Sequence, residues 1–120
     1  MPSHTQNSRG KIQQHRNRID DLIRRNLIEN EKATSAGDAD KVAALSQNLA
    51  TLFNEKTRLF QFELTVYPVS GMPQSNAETT LSASAEEARK IARTAKKFTK
   101  LLEATTRMAN LITRLFTLFS

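Results

Sequence analysis

The chain has 120 residues, with 18 lysines and arginines against 12 aspartates and glutamates, and a formal net charge of +6. Cysteine is absent, which excludes disulfides, thiolate metal sites and thiol nucleophiles. Only three glycines and three prolines interrupt a chain rich in helix-forming residues, so a few long helices are favoured over many strands. We therefore predict one all-α domain with a modest apolar core.

The first predicted helix follows a polar tail, residues 1–8, which we expect to be disordered. This helix runs from about residue 9 to residue 36, and its apolar residues cluster at helical spacing in its second half. Gly37 suits the left-handed position after a helix, and Asp38 can cap a second helix that starts at residue 39. So short a connection predicts an antiparallel helical hairpin.

The second predicted helix runs from about residue 39 to residue 64 and shows the alternating three- and four-residue spacing of a heptad seam. Lys56 and Glu63 interrupt that seam, so we expect them either to pair with charges on a neighbouring helix or to mark its departure from the core. Residues 60–69 also alternate at period two, which indicates a strand. We predict helix to residue 64 and then a loop over residues 65–83, and leave helix or strand open within residues 60–69.

A single long helix is predicted from residue 84 to residue 119. Ser84 and Glu87 have the spacing of a capping box at its start, in which each side chain bonds the other residue's backbone N–H. Its apolar seam continues at heptad spacing to the end of the chain. The predicted architecture is thus an antiparallel hairpin with a long C-terminal helix packed along it, a three-helix bundle with coiled-coil-like packing.

The last turns of this helix are almost entirely apolar. Such a surface can be buried in three ways: by the rest of the monomer, by a protein partner or second copy, or by a lipid surface. We favour the protein interface, because the two other predicted helices offer limited surface to hide so wide a stripe. The predicted partner-interface residues are Met108, Leu111, Leu115, Phe116, Leu118 and Phe119.

A basic stripe lies on the opposite face of the same predicted helix, next to few acidic residues at helical spacing. Cations arranged in this way can contact successive phosphates or anionic headgroups, although a solvated helix face is the simpler reading. The predicted polyanion-binding residues are Arg89, Arg93, Lys96, Lys97 and Lys100.

Basic pairs also occur in the first predicted helix, at Arg16 and Arg18 and at Arg24 and Arg25. Aromatic side chains that could stack on bases are missing before Phe53, so a nucleic-acid interpretation depends on charge alone.

Signals for catalysis are weak. The two histidines are His4, in the polar tail, and His15, which we expect to be solvated on a polar helical turn. Histidine-pair metal-binding motifs and glycine-rich nucleotide-binding motifs do not occur. We therefore predict that the protein is not an enzyme, with no catalytic residue, no metal ligand, no cofactor and no small-molecule substrate.

These features predict a non-enzymatic interaction protein that binds itself or another helical protein through its apolar C-terminal helix. The alternative is a basic protein that binds a polyanionic surface, either an anionic membrane or nucleic acid, including a membrane-active toxin component. The N-terminus lacks an apolar leader, and no run of about 18 apolar residues occurs. We accordingly expect a cytoplasmic location, with non-classical export as an open alternative.

Overall fold

The structure is a computed structural model that describes the backbone of residues 2–120 and the side chains of residues 7–120. Every regular element in this part of the chain is helical, which confirms the predicted all-α class. The four helices are α1 (Pro2–Ser35), α2 (Ala39–Gln61), α3 (Gln74–Thr94) and α4 (Phe98–Phe119). A π-helical turn, Phe62–Val66, and a 3₁₀ turn, Tyr67–Val69, continue directly from α2.

The predicted long helix over residues 84–119 is wrong, because the chain leaves helical geometry between α3 and α4. Ala95 has φ −84° and ψ 55°, and Lys97 is extended with φ −129° and ψ 162°. This break turns α4 back beside α3, so the apolar faces of both helices pack into one core. A continuous helix of the same length would project far beyond its neighbours and leave apolar surface in water.

Two further boundaries differ from the predicted ones. α3 begins at Gln74, so most of the predicted loop 65–83 is helical, and the irregular connection shrinks to the turn residues 70–73. α1 includes Pro2 to Ser8, where a tail was predicted, and the Ser8 side chain is fully buried. Met1 lies outside the described residues. Both segments are rich in small and polar residues, which do not predict a helix from the sequence. They are helical because tertiary packing orders their backbone.

The α1–α2 hairpin has the turn chemistry that its residue types predict. Gly37 has a φ of 69°, and the Asp38 carboxylate accepts a hydrogen bond from the backbone N–H of Lys41 at 3.1 Å. The charges in the α2 seam pair across to α1: Lys56 donates to Asp20 at 2.7 Å, and Glu63 accepts from arginines of α1. Of the two alternatives for these seam charges, pairing with charges on a neighbouring helix is the one observed.

The bundle has α1 and α4 at opposite corners, and α2 and α3 at the other two. α1 packs against both α2 and α3, and α4 packs against the same two helices. Gln74 contacts Ser8 and Ser84 contacts His15, so α1 and α3 lie side by side and parallel. The segment 62–73 therefore crosses the end of the bundle from one corner to the opposite one. The molecule measures 54 × 22 × 19 Å, and α1 extends along its long axis.

The apolar end of α4 is buried by this crossing segment. Phe62 of the π-helical turn packs edge-to-face on Phe119, with ring centroids 5.2 Å apart, and on Phe116 at 5.7 Å. The Tyr67 ring lies 6.0 Å from that of Phe119. Aromatic rings arranged in this way contribute attraction beyond the area they bury.

This packing changes the status of the predicted partner-interface residues. The side chains of Met108, Leu111, Leu115 and Phe119 are at most 2% exposed. Phe116 is half-buried in the aromatic cluster, and Leu118 is 48% exposed. The expectation that the monomer cannot cover its apolar C-terminal end is corrected, since the crossing segment supplies the cover that a two-helix hairpin would lack.

A buried polar layer joins three of the helices near their middle. The Asn48 amide of α2 donates to Asn26 Oδ1 of α1 at 2.9 Å and contacts Thr105 Oγ1 of α4 at 2.9 Å. The Asn26 amide in turn donates to the Leu45 carbonyl at 3.0 Å. Because an unpaired polar atom in the core is costly, these bonds select one register for the three helices.

We predict that Leu115→Ala destabilises the fold by about 2–5 kcal/mol, because a fully packed leucine is replaced by a cavity. Leu118→Ala, three residues away on the exposed side of α4, should cost less than about 1 kcal/mol. Chemical denaturation monitored by circular dichroism measures both changes. Equal losses in the two variants would show that Leu115 is not in the core.

Candidate anion-binding cleft

The predicted basic stripe is divided by the break between the last two helices. Arg89 and Arg93 lie on α3, whereas Lys96 and Lys97 lie in the connection and Lys100 lies on α4. The five side chains therefore do not form one helix face. Lys100 also lies within 3.7 Å of Glu103, an exposed acidic neighbour on its own helix. Of the predicted set, Arg89 and Arg93 remain together.

A cleft between α1 and α3 joins these two arginines to basic residues of the first helix. Its volume is about 290 Å³. Five arginines and one aspartate give its lining a formal charge of 5 − 1 = +4. The lining residues are Arg18, Asp21, Arg24 and Arg25 of α1, and Arg89, Ala92 and Arg93 of α3.

Small side chains on α3 shape this cleft. Ala85, Ala88 and Ala92 are all at most 8% exposed and lie on the buried side of the helix. The distance between two packed helix axes depends on the side chains at their contact, so alanines let α1 approach α3 closely. The long arginine side chains then stand at the rim, with Ala92 below them.

The arginines differ in how they are paired. Asp21 accepts from Arg24 Nη2 at 2.9 Å and from Arg18 Nη1 at 3.3 Å. Within the described side chains, residues 7–120, neither Arg25 nor Arg93 makes a direct ion pair with a carboxylate, and Arg93 interacts with Glu86 only at longer range. These two guanidinium groups, one from each helix, are therefore available to an anion in solution.

Arg89 has a local partner on its own helix. Its Nε donates to Glu86 Oε1 at 3.1 Å, and the second guanidinium nitrogen also contacts this carboxylate. This bond lowers the pKa of Glu86 and raises that of Arg89. Both groups lie at the surface, where such pairs exchange readily with solvent and other ions.

The relative position of α1 and α3 is set by a buried hydrogen bond. His15 Nδ1 lies 2.7 Å from the Lys11 carbonyl oxygen, which can only accept, so Nδ1 carries the proton. Nε2 then accepts from the Ser84 hydroxyl, also at 2.7 Å. His15 is fully buried and Ser84 is 8% exposed. This bond fixes which turn of α3 faces which turn of α1.

Both residues of this bond were misassigned from the sequence. His15 is not solvated, and Ser84 lies in the middle of α3 rather than at a helix start. Glu87, assigned to the same capping box, accepts instead from Arg114 of α4 at 3.0 Å. A signal for His15 was present, because it lies three residues after Ile12 and four before Ile19, on the buried face of α1.

Comparison with protein-family models, curated proteins and solved structures found no match. Across residues 2–120, none of the helices combines the length and the apolar character needed to cross a membrane.

We predict that the free energy of unfolding falls as the pH drops below about 6.5. Burial lowers the pKa of His15 from its ordinary value of 6.5, and the charge of Arg16 lowers it further, against the opposing bond to the Lys11 carbonyl. The unfolded chain therefore takes up a proton before the folded protein does, and stability rises with pH through this range. Because one group titrates, the slope that it contributes has an upper limit of about 1.4 kcal/mol per pH unit.

Chemical denaturation between pH 7.5 and pH 5 measures this slope. His15→Gln should flatten it, whereas Ser84→Ala should lower stability but keep it, because His15 stays buried. An unchanged slope in His15→Gln would mean that another group carries the pH dependence.

Proposed function

We propose that this is a non-enzymatic polyanion-binding protein whose site is the arginine cleft between α1 and α3. The observation that carries the proposal is that Arg25 and Arg93 come from different helices and that, within residues 7–120, neither makes a direct ion pair with a carboxylate. A guanidinium group presents planar, parallel donors that match the oxygens of a phosphate group. Two such groups beside each other favour a phosphate-bearing ligand over a diffuse counterion cloud.

The surroundings of the cleft favour nucleic acid over a membrane. A helix that binds a membrane surface combines its basic residues with an exposed apolar face. Within residues 7–120, none of the large exposed apolar side chains lines the cleft, and the exposed aromatic residues, Phe53 and Phe60, belong to α2. The cleft also lacks an aromatic lining residue on which an unpaired base could stack. The proposed ligand is therefore the phosphate backbone of a nucleic-acid duplex, contacted without base readout.

We predict that Arg25→Gln/Arg93→Gln weakens binding to a short DNA duplex by about tenfold or more, because two charge-assisted contacts are lost. The dependence of log K on log salt should become shallower by about two, one for each phosphate contact removed. Fluorescence anisotropy with a labelled duplex of about 20 base pairs at several salt concentrations measures both quantities.

The matched control is Lys100→Gln/Arg107→Gln, which removes the same charge from exposed positions of α4. We expect it to change affinity by less than about threefold, since a Debye length near 8 Å screens distant charges at physiological salt. Equal weakening in both variants would contradict a site in the cleft. Binding of the wild-type protein to anionic vesicles but not to duplex DNA would overturn the choice of nucleic acid.

Association with a second copy of the chain is a second candidate, and it is supported by a different surface from the predicted one. Phe53, Phe60 and Leu64 are 49%, 56% and 62% exposed, and helical spacing places them on one side of α2 and its π-helical continuation. Large apolar side chains grouped in this way are uncommon on a free surface. A second copy is the favoured partner because one row of this kind can pack against the same row across a two-fold axis.

We predict that Phe53→Ser/Phe60→Ser keeps the protein monomeric at concentrations where the wild-type protein associates at high salt, since apolar contacts are not screened. Light scattering across a concentration series measures the mass. Leu118→Ser is the control for the C-terminal helix and should leave association unchanged. A wild-type protein that stays monomeric up to about 1 mM, a concentration well above the dissociation constant of a specific interface, would rule this candidate out.

A further inference from the structure

Among the described side chains, Asp21 is the one acidic residue that lines the arginine cleft. On the basis of the proposed function, we propose that Arg18 and Arg24 form a phosphate subsite, and that the Asp21 carboxylate occupies this subsite until a phosphodiester displaces it. Asp21 would then be an internal competitor that sets the affinity of the cleft.

The geometry of the pair supports this assignment. Arg18 and Arg24 lie three residues before and three residues after Asp21 on α1, so both reach it along the same helix. Each carboxylate oxygen accepts from a different guanidinium group: Oδ1 from Arg24 and Oδ2 from Arg18. The two non-bridging oxygens of a phosphodiester can accept from two guanidinium groups in the same way.

The charges also match. A carboxylate and a phosphodiester each carry one negative charge, so their exchange leaves the local balance of the two arginines unchanged. The Asp21 side chain is 29% exposed and that of Arg24 is 66% exposed, so water reaches the pair. Exposed ion pairs within one helix contribute little to stability, and breaking this one is therefore a small obstacle to a ligand.

Asp21 is not required to hold the helices together. Its bonds in the described structure go to two arginines of its own helix. Its neighbour Asp20 differs in this respect, because it accepts from Lys56 of α2 at 2.7 Å and so joins two helices. The two adjacent aspartates therefore provide a matched pair, with the same change of charge at positions about 100° apart around α1.

The test compares Asp21→Asn with Asp20→Asn, using the labelled DNA duplex and the wild-type protein as reference. We expect Asp21→Asn to bind about threefold to tenfold more tightly, because Arg18 and Arg24 are released to the phosphates. Asp20→Asn should change affinity by less than about twofold, although it raises the net charge equally. Circular dichroism shows whether both variants are folded.

A third comparison locates the effect. In a background of Arg18→Gln/Arg24→Gln, the gain from Asp21→Asn should vanish, because the groups that it releases are missing. An equal gain in the two aspartate variants, or a gain that survives in this background, would overturn the proposal while leaving the cleft as a binding site. Absence of wild-type binding to the duplex would instead contradict the proposed function itself.

Discussion

The register of α1 against α3 is held by the hydrogen bond between His15 and Ser84, and the position of every cleft residue depends on it. Both side chains are buried away from water, so this bond is what satisfies their polar atoms inside the bundle. A shift of α3 by one turn would move it by about 5 Å along α1 and separate Arg89 and Arg93 from their present neighbours. The charged cleft at the surface is thus a product of polar and small residues inside the bundle.

Local chemistry allowed the helical class and the first turn to be predicted, because Gly37 and Asp38 act on their own neighbours. The break at residues 95–97 could not be found in this way. Ala95 and Lys97 are compatible with a helix, and they leave helical geometry because the folded chain buries more apolar surface when α4 turns back. The long loop was overestimated for a related reason, since the small residues before Ser84 look like a linker until Ala77 and Leu81 are seen to be buried.

The basic residues of the candidate site could be identified from the sequence, but their arrangement in one cleft could not. Charge and spacing identified Arg89 and Arg93, and the arginine pairs of the first helix were noticed separately. Their combination depends on α1 and α3 being parallel neighbours, and that follows from the path of residues 62–73 across the end of the bundle. The apolar end of α4 was predicted to be an interface for the same reason. Phe62 and Tyr67, which cover Phe119, belong to a segment that was predicted to leave the helix as an extended chain.

The buried layer of Asn26, Asn48 and Thr105 disfavours other arrangements of the same helices. The three helices α2, α3 and α4, of 21 to 23 residues each, can be arranged around α1 in several ways that bury comparable amounts of apolar surface. Moving α4 out of its present position would remove the Thr105 hydroxyl from the Asn48 amide and leave that N–H without the acceptor it has here. The free-energy cost of a buried amide N–H without an acceptor distinguishes between bundle arrangements that apolar contacts alone would leave nearly equal in energy.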